Sequence, residues 1–151
     1  MNWLWPLFVA CTVVCWGAYG PTLHKGQTAL GNNPWKAILC VGGAYFVLAV
    51  IIPVAILLVR GEKLDFNREG LTYAGIAGAL GALGAIGIAA ALKTGGQPLF
   101  VMPLVFGCAP LVNIVTSALL HRPKDSPSPF LYVGIVLLAA GAALVLMFKP
   151  K

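Results

Sequence analysis

Five long apolar segments, separated by short polar stretches, constrain the fold of this 151-residue chain more than any other feature of its sequence. A helix needs about 20 mostly apolar residues to cross the hydrocarbon core of a bilayer. The apolar runs are uninterrupted rather than alternating, which favours helices over the strands of a membrane barrel. We therefore predict an all-α integral membrane protein, a single domain with five transmembrane helices over residues 3–19, 35–59, 71–92, 98–120 and 130–148.

The composition indicates the same environment. Soluble domains are about one-quarter charged, whereas this chain is 9% charged and 60% hydrophobic. Its ten Lys and Arg residues give a net charge of +6 but are scattered over the predicted loops and ends. Basic residues in such positions anchor to phospholipid headgroups. We therefore expect the lipid bilayer, and not nucleic acid, as their partner, with a bacterial cytoplasmic membrane as the location.

No pattern of reactive side chains predicts catalysis, a cofactor or a metal site. The four cysteines lie inside apolar runs, where free cysteine behaves as a small hydrophobe. Cys11 and Cys15 share a helix face, but no CxxC motif or histidine cluster accompanies them. No grouping of nucleophile, base and orienting residue is present in the sequence. We expect a non-enzymatic protein without a cofactor or a bound metal.

The basic residues also bear on orientation, because five spans put the two termini on opposite sides of the membrane. Lys and Arg near span ends normally favour the cytoplasmic side. Here each side receives five of them. One side holds Arg60, Lys63, Arg68, Arg122 and Lys124, and the other holds Lys25, Lys36, Lys93, Lys149 and Lys151. Either assembly in a complex fixes the orientation, or the chain inserts both ways.

The third predicted span has glycine at every third position, and small residues let helices approach closely in lipid. One interpretation is a helix packed against neighbours on several sides; the other is a dimer face, or a helix that slides between transporter states. The glycines are Gly75, Gly78, Gly81, Gly84 and Gly87. A stripe of small residues runs through Ala77, Gly81, Ala85 and Ala89.

Acidic residues are absent from all five predicted spans. Glu62, Asp65 and Glu69 fall in the second predicted loop, and Asp125 falls in the fourth. A carboxylate inside the membrane is the usual means of coupling transport to protons or sodium. The absence of one argues against a proton-driven cation antiporter.

The fourth predicted span carries most of the polar and helix-disturbing residues. Several of them share an arc of roughly 120° at 100° per residue: Pro103, Phe106, Gly107, Pro110, Asn113 and Ser117. Prolines free backbone carbonyls that must be satisfied by protein or water, as in a helix that bends and lines a cavity. The alternative is a kinked packing helix whose Asn113 bonds a neighbouring helix, and the sequence favours neither.

The first predicted span ends in Trp16 and Tyr19, which form either an interfacial aromatic belt or a wall that contacts substrate. A predicted loop, GPTLHKGQTALGNNP, follows. In it Lys25 is interpreted as a headgroup anchor, and His24 is the best candidate for pH sensitivity. A solvated loop histidine is nevertheless the simpler interpretation of His24. We interpret His121 the same way.

Three stretches together resemble the EamA-type domain of the drug/metabolite transporter superfamily. The first span ends in Trp16-Gly17 and continues to a lysine. The stretch ALKTGGQPLFVMPLVFGCAPLVNIVTSALL is similar to a third-to-fourth helix hairpin with a central proline, Pro110 here. YVGIVLLAAGAALVL resembles the closing helix, with Gly134 and Gly141. The resemblance implies movement of small organic metabolites through a cavity between two inverted five-helix halves.

The chain departs from that family in two respects. Members commonly carry two inverted units in one chain, whereas this chain has one. Many members also have a glutamate shortly after the fourth helix, where this sequence reads His121-Arg122-Pro123. One half cannot enclose the cavity alone, and the balanced charge count fits two copies that pair antiparallel.

These observations lead to two hypotheses. The first is a half-sized transporter that moves a neutral or weakly polar metabolite by alternating access as a homodimer. Trp16, Tyr19, Asn113 and Ser117 would contact the substrate, and Pro103 and Pro110 would bend the helix. The second is a non-transporting accessory or scaffold subunit that packs against other membrane subunits. A small multidrug-resistance-type exporter is disfavoured, because that chemistry relies on a membrane-embedded acid.

Overall fold

A computed structural model describes residues 4–120 and 128–148, and every regular element in those two ranges is helical. This confirms the all-α prediction. In chain order the elements are α1 (Leu4–Ala29), α2 (Pro34–Phe46), a π-helical turn (Val47–Ile51), α3 (Ile52–Val59), α4 (Arg68–Lys93), α5 (Pro98–Leu120) and α6 (Pro129–Met147). The segment from α2 to α3 is continuous, so the chain has five helices long and apolar enough to cross a membrane.

The second to fifth predicted spans agree with the helices to within a few residues. Helix α4 begins at Arg68, three residues before the predicted span. Asn67 caps this end, because its side chain accepts a hydrogen bond from the Gly70 amide at 2.6 Å. Glu69 therefore belongs to the first turn of α4, and its assignment to a loop was wrong. A carboxylate there is favoured by the helix dipole. Three sequence predictions lie outside the described residues: the start of the first span at Trp3, the fourth loop with His121, and the C-terminal lysines.

The largest difference from the sequence prediction concerns the first loop. We predicted that the helix ends near Tyr19, but α1 continues through Pro21 to Ala29. Proline removes only its own N–H, so the carbonyl of Gly17 loses a partner while the following turns keep theirs. The helix ends where Gly31 and Asn32 adopt positive φ angles of 74° and 53°.

His24 is consequently a helical residue and is half-buried. The interpretation of His24 as a solvated loop residue was wrong, because that interpretation depended on a loop in this segment. The pH sensitivity of His24 stays a prediction.

The second long helix is interrupted by the π turn at Val47–Ile51. Here the amide of Ile52 donates to the carbonyl of Val47, five residues back. Pro53 explains the location: in a regular α-helix its ring would clash with the carbonyl of Ala49. A single wider turn immediately before the proline accommodates the ring without ending the helix.

The contacts divide the chain into two compact units. One unit contains α1 up to Gly20 together with α5 and α6, and in it α5 packs against α6. The other contains the rest of α1 with α2, α3 and α4, and in it α2 packs against α4. The single-domain prediction is not tested by this division.

The buried face of α4 lies in its C-terminal half, at the i, i+3, i+4, i+7 positions of one helix face. These residues are Ala85, Ile88, Ala89 and Leu92. All five glycines of the predicted packing set are exposed, and a Cβ added at any of them would meet no described atom within 4 Å. The described residues therefore do not pack against Gly75, Gly78, Gly81, Gly84 and Gly87, and packing of this helix on several sides stays a prediction. A dimer face stays a prediction.

Candidate functional site

An aromatic group joins α1 to α5 in the first unit. The rings of Trp16 and Tyr19, one turn apart on α1, have centroids 6.2 Å apart and are tilted by 37°. The ring of Phe106 on α5 meets Trp16 edge-on, with centroids 6.0 Å apart. Such geometry places the positive edge of one ring against the negative face of the other. Trp16 remains 44% exposed, so this aromatic group presents an accessible surface.

Gly20 allows this close approach of α1 to α5. The position lies one turn beyond Trp16 and is buried. A Cβ at Gly20 would overlap the side chain of Met102, which is only 5% exposed. The absence of a side chain at Gly20 therefore sets how near the two helices come, and with it the position of the Trp16–Phe106 contact.

Asn113 shares a face of α5 with Phe106, because seven residues make nearly two complete turns. The two Cα atoms are about 10 Å apart along the helix axis. Asn113 is exposed and makes no hydrogen bond to any residue of 4–120 or 128–148. The hydroxyl of Thr116, by contrast, donates to the carbonyl of Val112 at 2.9 Å. None of the described residues therefore uses the hydrogen-bonding groups of the Asn113 side chain.

Ser117 is half-buried and lies one turn beyond Asn113. The structure brings Trp16 and Tyr19 together with Phe106, and it puts Asn113 and Ser117 in successive turns of α5. Phe106 belonged to the polar arc of the sequence but was not assigned a substrate contact. Its aromatic neighbour on another helix could not be read from the sequence.

Both predicted bending residues lie inside α5, which remains one helix from Pro98 to Leu120. Pro110 is half-buried and Pro103 is exposed. Since proline has no N–H, the carbonyls of Leu99 and Phe106 lack their usual helical donors. The freed carbonyl of Phe106 adds a backbone acceptor close to the aromatic group. A bend at either proline stays a prediction.

A second polar group, absent from the sequence predictions, surrounds Gln27 in the other unit. Gln27 is 0% exposed. Its amide nitrogen Nε2 donates to the carbonyl of Ala89 on α4 at 3.2 Å and to Oδ1 of Asn32 at 3.3 Å. The side chain therefore ties the end of α1 both to α4 and to the turn that follows α1. The i, i+4, i+7 spacing of Leu23, Gln27 and Leu30 is the sequence signal that predicts this buried face.

Two buried polar atoms of this group have no hydrogen-bond partner among the described residues: Oε1 of Gln27 and Nδ1 of His24. His24 and Gln27 are three residues apart on α1, so both side chains lie on one side of the helix. Most buried polar atoms in proteins are paired. Two unpaired atoms on one helix face therefore indicate a place that can bind a further polar group.

The two polar and aromatic groups described above offer aromatic contact and hydrogen bonding. Cys11, Cys15, Cys40 and Cys108 are free thiols on exposed positions. No group of three His, Cys, Asp or Glu side chains that could hold a metal ion occurs among residues 4–120 and 128–148. Each unit therefore has its own candidate binding site: the aromatic group with Asn113 in one unit, and the Gln27 group in the other.

Comparison with protein-family models, with curated proteins and with solved structures finds no match to this chain.

Proposed function

We propose that this chain is a half-sized membrane transporter that moves a small neutral or weakly polar organic solute by alternating access, as a dimer of antiparallel copies. The observation that carries the proposal is the placement of Asn113. Its amide lies on the exterior of α5 with no hydrogen bond to a described residue. The neighbouring Val112 and Val115 are 67% and 62% exposed.

A primary amide on the outside of such an apolar helix is costly in lipid, since it loses hydrogen bonds to water without compensation. The cost disappears if this face of α5 lines a cavity that holds water or solute. Within the described residues Asn113 is exposed, with no side chain hydrogen-bonded to it. A second copy supplies the opposite wall of such a cavity, as the opposing half does in transporters with inverted repeats.

The distribution of apolar side chains supports the membrane location. Large apolar residues are exposed along all five long helices. A soluble monomer rarely exposes apolar patches larger than a few hundred Å², whereas lipid solvates such a surface. Equal numbers of basic residues on the two sides give the chain no electrostatic preference for one orientation. Insertion both ways, in a bacterial cytoplasmic membrane, would provide the two antiparallel halves.

In this proposal the aromatic group and Asn113 bind different parts of the solute. Trp16, Tyr19 and Phe106 offer an apolar wall, and Asn113 offers a donor and an acceptor to one polar group. Ser117 contributes a hydroxyl one turn further along. No Asp or Glu occurs between Gly70 and Leu120 to bind a coupling ion, so facilitated exchange down a gradient is the proposed mode.

The direct test is solute exchange in proteoliposomes. Radiolabelled neutral amino acids, nucleosides and polyols are presented as a panel to vesicles with and without the protein. Asn113→Leu should reduce exchange of the active solute at least tenfold, while Thr116→Val, whose hydroxyl is already bonded within its own helix, should retain it. Equal exchange by both variants removes Asn113 from the site. No exchange of any solute above protein-free vesicles counts against transport.

Assembly and orientation are tested separately. Tags at the N-terminus should be accessible from both sides of the membrane in roughly equal numbers. Accessibility from one side only rules out the antiparallel homodimer. Purification in mild detergent should yield a self-dimer, whereas a stable complex with unrelated membrane chains would instead support the accessory-subunit function.

A further inference from the structure

We propose that Gln27 and His24 form a binding site for a hydroxyl group, donated by a small neutral solute or by an ordered water molecule. The site goes beyond the proposed transport function, because it is defined by binding and holds whether or not the chain transports. It rests on the two buried polar atoms without partners, Oε1 of Gln27 and Nδ1 of His24.

The orientation of the Gln27 amide follows from its neighbours. Nε2 faces the carbonyl of Ala89, which can only accept a hydrogen bond. Rotating the amide by 180° would put Oε1 against that carbonyl, and two acceptors repel. Oδ1 of Asn32 is the second acceptor for Nε2 in this orientation. Nε2 is therefore the bonded atom, and Oε1 is an acceptor that requires a donor from outside the described residues.

Oε1 of Gln27 is fully buried, so water from the surface cannot supply the missing hydrogen-bond donor. Gln27 is the largest side chain with less than 2% exposure in the described ranges. Removing an amide oxygen from water without a replacement donor costs free energy. The two bonds of Nε2 fix the amide plane, so the side chain cannot turn Oε1 to another donor without losing both. A bound donor relieves the cost and leaves the rest of the structure unchanged.

His24 determines which donor fits. In an α-helix, side chains three residues apart have Cβ atoms about 5–6 Å apart. One oxygen atom can therefore bond to both side chains at about 2.8 Å from each. A hydroxyl donates its hydrogen to Oε1 of Gln27 and accepts with its lone pairs from an Nδ1–H of His24. A carboxylate has no hydrogen to donate to Gln27 and is therefore excluded.

The surrounding charges also exclude a cation. The elements that carry or adjoin the site contribute Lys25 on α1, Lys36 on α2 and Lys93 at the end of α4. No Asp or Glu occurs from Leu4 to Arg60 or from Gly70 to Leu120. A buried positive ligand would therefore have no carboxylate in these segments to compensate for its loss of water. A neutral hydroxyl does not need one.

The test uses the whole chain in lipid nanodiscs with ¹⁵N in the glutamine side chains. The sequence contains two glutamines, Gln27 and Gln97, and exposed Gln97 is an internal control. Erythritol is the hydroxyl probe, and glycine betaine, which has no O–H or N–H donor, is added at equal osmolality. Erythritol should shift the Gln27 amide signals saturably and leave Gln97 unchanged. Betaine should shift neither glutamine.

The two sources of the hydroxyl give different results. A saturable erythritol shift assigns the site to a solute. If erythritol does not shift the Gln27 amide signals, but these signals cross-relax with a slowly exchanging water, the site is assigned to ordered water. Absence of both effects overturns the site.

Variants separate binding from folding. Gln27→Leu should abolish the solute or water effect. Because it removes the labelled side-chain amide, the backbone amide of residue 27 is followed instead in uniformly ¹⁵N-labelled protein. His24→Leu retains Gln27 and the bonds to Ala89 and Asn32. It should weaken erythritol binding about fivefold, the effect of one hydrogen bond. Thr28→Val is the matched control, since the Thr28 hydroxyl is bonded to the carbonyl of His24 at 2.8 Å. Equal affinities of the two single variants would remove His24 from the site.

Discussion

The ring of Trp16 on α1 meets the ring of Phe106 on α5 edge-on, at a centroid separation of 6.0 Å and an interplanar angle of 76°. This is the ring contact by which the end of the predicted first span is held to the proline-containing helix. It gives Trp16 a tertiary role in addition to any contact with lipid headgroups.

The energy of this contact is measurable by a double-mutant cycle. We expect Trp16→Leu and Phe106→Leu to couple by about 0.5–1.5 kcal/mol, because edge-to-face pairs contribute that much beyond area burial. Unfolding in mixed detergent and SDS micelles provides the free energies. Trp35→Leu paired with Phe106→Leu is the control, since Trp35 is 68% exposed. Equal coupling in the two cycles would show that the ring geometry has no specific effect.

Gly20→Ala should destabilise the protein by about 1–3 kcal/mol, because the new Cβ overlaps the buried side chain of Met102. Gly17→Ala is the matched control, three residues earlier on the same helix. A Cβ there meets no described atom within 4 Å, and alanine favours the helix, so we expect no loss of stability. Shortening Met102 to alanine in the Gly20→Ala background should restore part of the loss. Equal stabilities of the two glycine variants would contradict the close approach.

Gly107 on α5 faces Ala142 on α6, where the two helices pack against each other. A Cβ at Gly107 would lie 3.2 Å from the Cβ of Ala142, so Gly107→Val should cost about 1–3 kcal/mol of unfolding free energy. Gly141→Val, on an open position of α6, should cost less. Combining Gly107→Ala with Ala142→Gly should be better tolerated than Gly107→Ala alone. A double variant no more stable than the single one would contradict this packing.

The glycine face of α4 allows a test of self-association that leaves the fold of the chain intact. Gly81→Leu should not disturb a single copy, since its Cβ meets no described atom within 4 Å. If a second copy packs on this face, the added side chain prevents close approach and should weaken dimerisation at least tenfold in liposomes. Energy transfer between labelled copies measures the association. Leu80→Ile, also exposed, is the volume-matched control. Unchanged association would place the dimer contact elsewhere.

The positions of the long helices could be predicted because membrane span length and hydropathy are physical requirements that each segment meets alone. Their packing could not. The long helices are apolar on nearly all sides, so periodicity does not identify a buried face. The spacing of the α4 glycines, for example, did not indicate that the residues buried within the chain are Ala85, Ile88, Ala89 and Leu92.

The Gln27 group was missed for a different reason. Gly20, Pro21 and Gly26 are residues typical of turns, and together they predicted a loop. A single proline removes only one hydrogen bond, however, and a buried tie to another helix compensates for weak local propensity. The bond from Gln27 to the Ala89 carbonyl joins residues 62 positions apart. No local pattern contains information about such a partner.

The π turn at Val47–Ile51 means that α2 and α3 cannot be assigned side-chain faces as one regular α-helix. A π turn accommodates an additional residue in the helix, so the angular phase of the side chains after it differs from the phase before it. A stripe drawn from buried Ala37 along α2 does not continue onto α3 at 100° per residue. Counting through this helix as one uniform cylinder would assign the residues of α3 to the wrong face.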